Sequence, residues 1–231
     1  MSDEGARAAV SPRPRFKICC IASVAEARLA IACGASAIGL VSDMPSGPGV
    51  IDEGAIAEIA ATIPPGVGSF LLTSLREVEA IVAQQRRCRV NTIQLCDRPQ
   101  PGTCAELRRA LPGIALVQAV HVTGEGAVAE ALETAPHVDA ILLDSGDPSR
   151  PVKELGGTGR AHDWRISRRI RATVTVPVFL AGGLRPQNVA EAIRVVEPFA
   201  VDVCSGVRTD GRLDEAKLRA FAAAVRGEGR A

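Results

Sequence analysis

The stretch VPVFLAGGLRPQNVAEAIRVVEPFAVDVCSGV, residues 176–207, decides the fold. Its first apolar run, VPVFLAGG (176–183), predicts a strand that ends in a glycine turn. RPQNVAEAIRVVEP (185–198) predicts a helix, because apolar residues recur there every three to four positions. A second apolar run, AVDVCSG (200–206), predicts another strand with its own glycine turn. Continuously apolar strands are typical of a parallel sheet covered by helices on its faces, so the stretch indicates a strand–helix–strand unit.

The same alternation extends through the rest of the chain. Apolar runs predict strands at residues 15–20, 36–42, 67–73, 90–96, 114–124, 138–145, 176–183 and 200–206. Each run precedes a predicted helix, at residues 24–34, 51–64, 74–87, 103–113, 125–136, 163–172, 185–198 and 214–226. Eight such units predict an α/β fold, the (β/α)8 TIM barrel. In the competing open, doubly wound sheet a glycine-rich turn normally follows the first strand, whereas here the glycine-rich turns come late.

We predict a single domain, because no linker or change of composition divides the chain. The barrel should cover residues 15–231, after a flexible N-terminal tail at residues 1–14. The tail has no apolar core, so it does not resemble a signal peptide. Elsewhere charge or glycine interrupts the apolar runs too often for a membrane span. The sequence therefore predicts a protein without a membrane partner.

Composition excludes further classes of protein. Of 231 residues, 47% are hydrophobic and 23% charged, and the formal net charge is +1, so there is no basic field to attract nucleic acid. Aromatic residues make up 3% with no tyrosine, which is unfavourable for stacking on bases. The seven cysteines, an odd number in a chain of this size, predict free thiols and a cytoplasmic location.

Three glycine-rich turns predict a phosphate site. GGTG (156–159), AGGL (181–184) and CSGV (204–207) follow the sixth, seventh and eighth predicted strands. The site of a TIM barrel lies at the carboxyl ends of its strands, and its last loops often bind phosphate through peptide N–H groups. Glycine allows the backbone to approach an anion closely. Each turn alone is better explained as a tight connection, but the three together favour phosphate binding.

Two side chains at the predicted rim could transfer protons. Asp144 ends the apolar run DAILLD, where loss of hydration would raise its pKa and suit it to act as an acid; otherwise it caps the following loop. Cys19 could be a base or nucleophile if Lys17 lowers its pKa, or a small buried apolar residue, and position alone does not decide. Cys20 should point away from Cys19 along the strand, into the layer between barrel and helices.

Short motifs in a fixed order resemble a known family. They are KIC (17–19), GLV (39–41), QL (94–95), LLDS (142–145), GGTG (156–159), DW (163–164), LAGGL (180–184), NVAEAI (188–193) and VDVCSGV (201–207). Together they resemble the phosphoribosylanthranilate isomerases, which catalyse an Amadori rearrangement in tryptophan biosynthesis. The resemblance covers roughly residues 16–226 and is most specific in the second half.

The resemblance implies a function and a set of site residues. It implies conversion of N-(5-phosphoribosyl)anthranilate to 1-(2-carboxyphenylamino)-1-deoxyribulose 5-phosphate, an aldose–ketose isomerisation without metal or organic cofactor. It also implies Asp144 as the general acid and Cys19 as the general base. Residues expected to bind the substrate or its phosphate are Lys17, Gly157, Gly159, Gly182, Gly183, Asp202, Ser205, Gly206 and Arg208. The expected partner is a small phosphosugar, bound by a monomer or homodimer.

The sequence departs from the family pattern where anthranilate should bind. Pro48 falls where the family has an arginine for the carboxylate, Cys96 replaces a histidine, and Cys20 replaces a glycine. Arg208 is a new cation near the predicted mouth. Without the arginine, the affinity for anthranilate should fall unless another cation, Arg208 or Lys153, contacts the carboxylate instead.

Three alternatives remain open. A related barrel could isomerise or cleave a different ribosyl phosphate. A zinc site could form from Cys19, Cys96, Cys204 and His121, because three thiols and one imidazole are a tetrahedral zinc set, although no CxxC or HxxxH spacing supports it. The barrel could also bind phosphate without catalysis, and Cys19→Ala would then leave its function intact.

Overall fold

A closed barrel of eight parallel strands forms the centre of the molecule. The computed structural model describes residues 14–228, and its barrel strands pair in sequence order, with the eighth closing against the first. The strands are β1 Arg15–Ile18, β2 Ala37–Val41, β3 Gly68–Thr73, β4 Thr92–Leu95, β5 Ala115–His121, β6 Ala140–Asp144, β7 Val178–Leu180 and β8 Ala200–Val203. The (β/α)8 prediction is confirmed. The predicted tail lies outside the described residues, apart from Pro14.

Within the described residues, eight α-helices cover the outside of the barrel. They are α1 Val24–Ala32, α2 Glu53–Ala60, α3 Val78–Cys88, α4 Thr103–Ala110, α5 Gly126–Thr134, α6 Trp164–Thr173, α7 Val189–Val196 and α8 Glu215–Arg226. Ser23, Asp52, Asp163 and Asp214 begin four of them by accepting a hydrogen bond from a first-turn peptide N–H. The main apolar core fills the layer between strands and helices. No helix within residues 14–228 is long and apolar enough to cross a membrane.

Closure of the barrel makes the first and the last barrel strand neighbours. β8 pairs with β1 in parallel, so that Lys17 lies in register with Asp202, and Ile18 with Val203. Lys17 and Asp202 are 185 positions apart in the sequence. The turns that follow β1 and β8 therefore meet at the same point of the mouth.

β1 is shorter than predicted, and the difference moves Cys20. The strand ends at Ile18, and Cys20 adopts a left-handed backbone with φ of 62°. This conformation strains a residue that has a Cβ and suits glycine, the residue that the family motif has here. The prediction that Cys20 alternates with Cys19 along a strand is therefore wrong, because the chain has already turned.

Other strands also end earlier than predicted. β7 ends at Leu180, before Gly182 and Gly183, whose φ values are 82° and 62°. After β8 the chain forms a short hairpin, β9 Arg208–Thr209 with β10 Arg212–Leu213, before α8 begins. The sequence pattern did not predict this hairpin because its two strands are only two residues long.

Candidate active site

A cavity opens at the carboxyl ends of the barrel strands. Predicted site residues that line it are Cys19, Asp144, Gly157, Gly159, Gly182, Gly183, Asp202 and Ser205. Lys17, Gly206 and Arg208 lie outside its lining. The fold thus brings the two candidate proton-transfer groups and the three glycine-rich turns to one place.

The glycine-rich turns interlock at one side of the cavity. A Cβ on Gly183 would lie 2.5 Å from the peptide nitrogen of Ala161, and a Cβ on Gly206 would collide with the carbonyl oxygen of Leu184. The turns after β6, β7 and β8 therefore touch through their backbones, at positions where only glycine fits. Ser205 stands 3.6 Å from the position of a Cβ on Gly159. Residues of all three turns line the cavity, and successive peptide N–H groups in turns can bind an anion.

The surroundings of Asp144 make its carboxyl a weaker acid than an exposed aspartate. It ends β6 and lines the cavity. Loss of hydration raises the pKa of its carboxyl, against the opposing effects of the Ser145 peptide N–H and of His121. The Ser145 N–H donates to Oδ1 at 2.7 Å and orients the carboxyl. This environment retains a proton on Asp144 at higher pH than an exposed aspartate would.

Cys19 is a buried thiol at the edge of the same cavity. Its exposed fraction is 7%, and this burial raises the pKa of the thiol to about 11, although Lys17 acts in the opposite direction. Asp202 and Asp144 add smaller contributions that raise the pKa further. In the resting site Cys19 is therefore mostly a thiol near neutral pH, and a thiolate forms there only as a minor species.

Lys17 lies beneath the cavity. Its side chain is fully buried, and Nζ donates to Asp202 Oδ2 at 2.9 Å. Burial alone would lower the pKa of Lys17, but Asp202 and the neighbouring thiols raise it overall, so the amine stays protonated. This placement corrects the prediction of Lys17 as a substrate ligand. The positive charge of Lys17 acts on the site electrostatically, by opposing the rise in the pKa of Cys19.

Gly39 is a residue of the site that the sequence did not single out beyond the GLV motif. A Cβ at this position in β2 would lie 2.9 Å from Cys19 Sγ and 3.0 Å from Lys17 Nζ. The absence of a side chain therefore makes the space in which the thiol and the ammonium group approach each other. Asp202 completes the group, since its Oδ1 is buried without a hydrogen-bond partner among the described residues, and Asp202 lines the cavity.

Arg208 does not reach the cavity. Its side chain is 7% exposed, and its guanidinium pairs with Glu26, at 3.1 Å for both Nη1–Oε1 and Nη2–Oε2. It also donates to the carbonyl oxygens of Cys19 and Cys20. These contacts hold the turn after β1 against the hairpin after β8. The expectation that Arg208 contacts the substrate carboxylate does not fit this arrangement.

Apolar side chains form part of the cavity lining. They are Val41, Met44, Pro48, Leu72 and Leu155, of which Pro48 lies against Gly157. Lys153, the other expected cation, is paired with Asp97 and does not line the cavity. Among the described residues, no lysine or arginine contributes to the lining. The apolar part of the lining suits the face of an aromatic ring.

Cys20 and Cys204 form a disulfide at the mouth of the cavity. The prediction that all seven cysteines are free is therefore wrong for these two, and the other five are free. The bond was hidden from sequence reasoning because 184 positions separate the two residues. It forms across the seam where β8 closes against β1.

The same bond removes the predicted zinc set. Cys204 is engaged with Cys20, and His121 Nε2 lies 3.0 Å from the carbonyl oxygen of Cys96. Within residues 14–228, no group of three or more His, Cys, Asp or Glu side chains is placed to hold a metal ion. The zinc alternative is wrong for this arrangement of side chains. Cys96 is instead a buried thiol, whose pKa burial raises to about 12.

Comparison with known proteins agrees with this geometry. A family model described as N-(5'phosphoribosyl)anthranilate (PRA) isomerase matches residues 16–224. N-(5'-phosphoribosyl)anthranilate isomerase 2 of Methanosarcina mazei is 38% identical over 209 residues, 90% of this chain and 92% of the relative. The solved phosphoribosyl anthranilate isomerase from Thermotoga maritima is 31% identical, with a TM-score of 0.80 over 93% of this chain and 99% of that one. Another, in complex with reduced 1-(o-carboxyphenylamino)-1-deoxyribulose 5-phosphate, is 29% identical, with a TM-score of 0.77 and the same coverage. The chain therefore belongs to the N-(5'-phosphoribosyl)anthranilate isomerase family.

Proposed function

We propose that this chain catalyses the reaction for which its family is named, the isomerisation of N-(5'-phosphoribosyl)anthranilate in tryptophan biosynthesis, with Asp144 as general acid and Cys19 as general base. The observation that carries the proposal is that both side chains line one cavity whose other wall is built from glycine-rich turns. An acid, a base and a phosphate site are sufficient for an Amadori rearrangement of a phosphosugar. The reaction is an internal redistribution of protons and electrons, so it consumes no oxidant or reductant.

The first step opens the ribose ring. The protonated Asp144 carboxyl donates its proton to the ring oxygen, and the bond from this oxygen to C1 breaks. The lone pair of the substrate nitrogen forms a double bond to C1, which leaves an iminium cation. The raised pKa of Asp144 supports this role because the carboxyl retains its proton at higher pH than an exposed aspartate would.

The second step moves the double bond. The Cys19 thiolate takes the proton from C2, the electron pair of that C–H bond forms a C1=C2 double bond, and the nitrogen becomes neutral. The resulting enolamine then becomes the ketone when C1 gains a proton and the C2 hydroxyl loses one, so that the C=C double bond is replaced by a C=O double bond. The iminium charge next to the thiol favours the thiolate at this moment, which offsets the effect of burial on its pKa.

The resting protonation states determine the pH profile. Between the pKa of Asp144 and that of Cys19, at about 11, the site carries one proton, which resides mainly on sulfur. The reactive form, with thiolate and protonated carboxyl, is a minor but constant fraction across this interval. We therefore expect kcat/KM to be flat between these two pKa values. It should fall below the pKa of Asp144, where the thiolate is lost, and above about 11, where the carboxyl proton is lost.

Lys17→Met should lower kcat by about tenfold with little change in KM. Lys17 stabilises the thiolate from below the cavity, so its loss should raise the pKa of Cys19 by roughly one unit, which is a tenfold loss of thiolate at neutral pH. Steady-state kinetics give the first readout. The second is the rate at which iodoacetamide alkylates Cys19 at about pH 9, measured by mass spectrometry of the Cys19 peptide, which should fall by a similar factor.

Lys153→Met is the matched control for this prediction. Lys153 also pairs with an aspartate, Asp97, but lies outside the cavity lining. Its replacement should leave both the alkylation rate and kcat within twofold of the wild type. An unchanged Cys19 alkylation rate in folded Lys17→Met would contradict the electrostatic role of Lys17.

The two ends of the substrate should contact different groups in the lining of the cavity. The phosphate would lie against the peptide groups of the glycine-rich turns, and the aromatic ring against Pro48, Met44 and Leu155. Remote binding of the phosphate holds the sugar in register with the acid and the base. We further propose that the chain acts in the cytoplasm, as a monomer or homodimer, as its sequence predicts.

Turnover of freshly prepared N-(5'-phosphoribosyl)anthranilate tests the proposal directly. The purified wild-type protein should abolish the fluorescence of the substrate at a rate proportional to protein concentration, with a KM that inorganic phosphate raises by competition. Folded protein that binds phosphate without consuming this substrate would overturn the proposed aglycone. It would direct the search to other ribosyl phosphates.

A further inference from the structure

Two cysteines outside the proposed chemistry are bonded to each other at the mouth of the cavity. Cys20 and Cys204 form a disulfide, and both line the cavity wall. We propose that this pair is a reversible thiol–disulfide modification site, oxidised by a small disulfide and reduced by a dithiol, whose state sets the affinity of the cavity for its phosphosugar. The effect on affinity rests on the proposed function, whereas the site itself does not.

The protein holds the two cysteine backbones together independently of the bond. Their Cα atoms are 5.9 Å apart, within the range that a disulfide spans without backbone movement. Arg208, four residues beyond Cys204, donates to the carbonyl oxygen of Cys20 and is itself paired with Glu26. This contact joins the same two segments as the disulfide does. The two sulfur atoms should therefore remain close after reduction, so that the bond can form again.

When the disulfide is reduced, the Cys20 thiol also has a hydrogen-bond acceptor beside it. Cys20 Sγ lies 3.6 Å from the carbonyl oxygen of Pro48, so the Cys20 thiol can donate to that oxygen when the bond is open. A Cβ on Gly49 would lie 2.9 Å from the same sulfur, which shows how closely the turn after β2 covers Cys20. Cys20 is 4% exposed, whereas Cys204 is half-buried. A reagent that enters from solvent should therefore meet Cys204 first.

The chemistry balances as two successive exchanges. The Cys204 thiolate attacks one sulfur of glutathione disulfide, and one molecule of glutathione leaves as a thiolate. The Cys20 thiolate then attacks Cys204 Sγ in the mixed disulfide, forms the internal bond and displaces the second glutathione. The protein loses two electrons and two protons, and the oxidant gains them as two thiols. A dithiol such as dithiothreitol reverses both exchanges.

The bond connects the phosphate turn to the catalytic turn. Cys204 immediately precedes Ser205 and Gly206, and Cys20 immediately follows Cys19. Closing the disulfide restrains the turn after β8 before the ligand arrives, and such pre-ordering reduces the cost of binding. Cys19 itself is placed by β1 and by its peptide hydrogen bond to Val203, at 2.8 Å, in both states. Reduction should therefore affect KM more than kcat.

Thiol counting tests whether the site exists. Protein incubated with glutathione disulfide and then unfolded in guanidinium should show five thiols with DTNB, and protein reduced in the native state by dithiothreitol and desalted should show seven. Mass spectrometry should place the lost pair in one cross-linked peptide containing Cys20 and Cys204. Seven thiols after oxidation, or a bond that dithiothreitol opens only in unfolded protein, would overturn the proposal.

Melting and kinetics test what the bond does. The oxidised form should melt roughly 5–10 °C above the reduced form, because the bond closes a long loop. Its KM should be about three- to tenfold lower, with kcat within twofold. Cys20→Gly, which suits the left-handed backbone, and Cys204→Ser should lose both differences. Cys104→Ser, on α4, should retain them. Equal KM in the two forms, with the expected thiol counts, would overturn the control of affinity.

Discussion

Cys19→Ala and Asp144→Asn should each lower kcat by about 10³- to 10⁴-fold while KM changes only a few-fold. Each removes the only group proposed for one proton transfer, and such groups contribute about 10²–10⁴-fold. The phosphate turns remain, so binding should survive. The amide oxygen introduced by Asp144→Asn can still accept from the Ser145 N–H, which donates to Asp144 Oδ1 at 2.7 Å. A loss of activity in this variant would therefore report the missing proton. Loss of substrate fluorescence gives kcat and KM for each variant.

The double variant and two controls sharpen this prediction. Because the acid and the base act in one sequence of steps, Cys19→Ala/Asp144→Asn should be little worse than the more damaging single change. Cys104→Ser replaces a free thiol on α4, and Asp210→Asn replaces an exposed aspartate whose φ of 48° asparagine tolerates. Both controls should keep wild-type kinetics. More than a tenth of wild-type kcat in either folded single variant would remove that residue from the mechanism.

Gly206→Ala should lower kcat/KM by about 100-fold, mainly through KM. The new Cβ would collide with the carbonyl oxygen of Leu184 and lie 3.1 Å from Arg185 Cα, both of them backbone atoms that cannot swing away. Relief of the collision must separate the turn after β8 from the turn after β7. A displacement of about 1 Å in a positioning element can cost 10²-fold in rate. Overpacking of this kind also costs about 1–3 kcal/mol of stability.

Gly124→Ala is the matched control for this substitution. A Cβ on Gly124, in the loop before α5, would meet no atom within 4 Å. This variant should keep the wild-type KM and melting temperature. For Gly206→Ala, competition by inorganic phosphate should weaken in parallel with the rise in KM. A wild-type KM in folded Gly206→Ala would contradict the assignment of this turn to the phosphate.

Periodic features of the sequence were sufficient for the barrel and for the positions of its glycine-rich turns. The stretch at residues 176–207 already contains two strands, a helix and two such turns, and local patterns of this kind depend on near neighbours. Asp144 could be placed at the cavity because it directly follows a buried run. Cys19 could be placed at the rim but not given a role, since its position alone fits both a base and a packing residue.

What the sequence could not predict depends on contacts across the closed barrel. From the sequence, Arg208 is predicted to be a free cation, but the fold places Glu26, 182 positions earlier, beside it. From the sequence, Cys20 is predicted to be the next residue of a strand, whereas the chain has already turned there. Cys204 comes within bonding distance of Cys20 only because the barrel closes. Lys17 is predicted to be a substrate ligand because the sequence does not show that its side chain is fully buried. Each error concerns the seam between β1 and β8.

That seam has a consequence for synthesis of the protein on the ribosome. The base directly follows the first strand to emerge, while one of the turns proposed for the phosphate follows the last. A nascent chain that has released the first six strands already contains both Cys19 and Asp144, but it lacks β8, which carries the ion-pair partner of Lys17. Cys19 and Asp144 should therefore be inactive throughout elongation, and catalytic activity should appear in one step when β8 docks against β1.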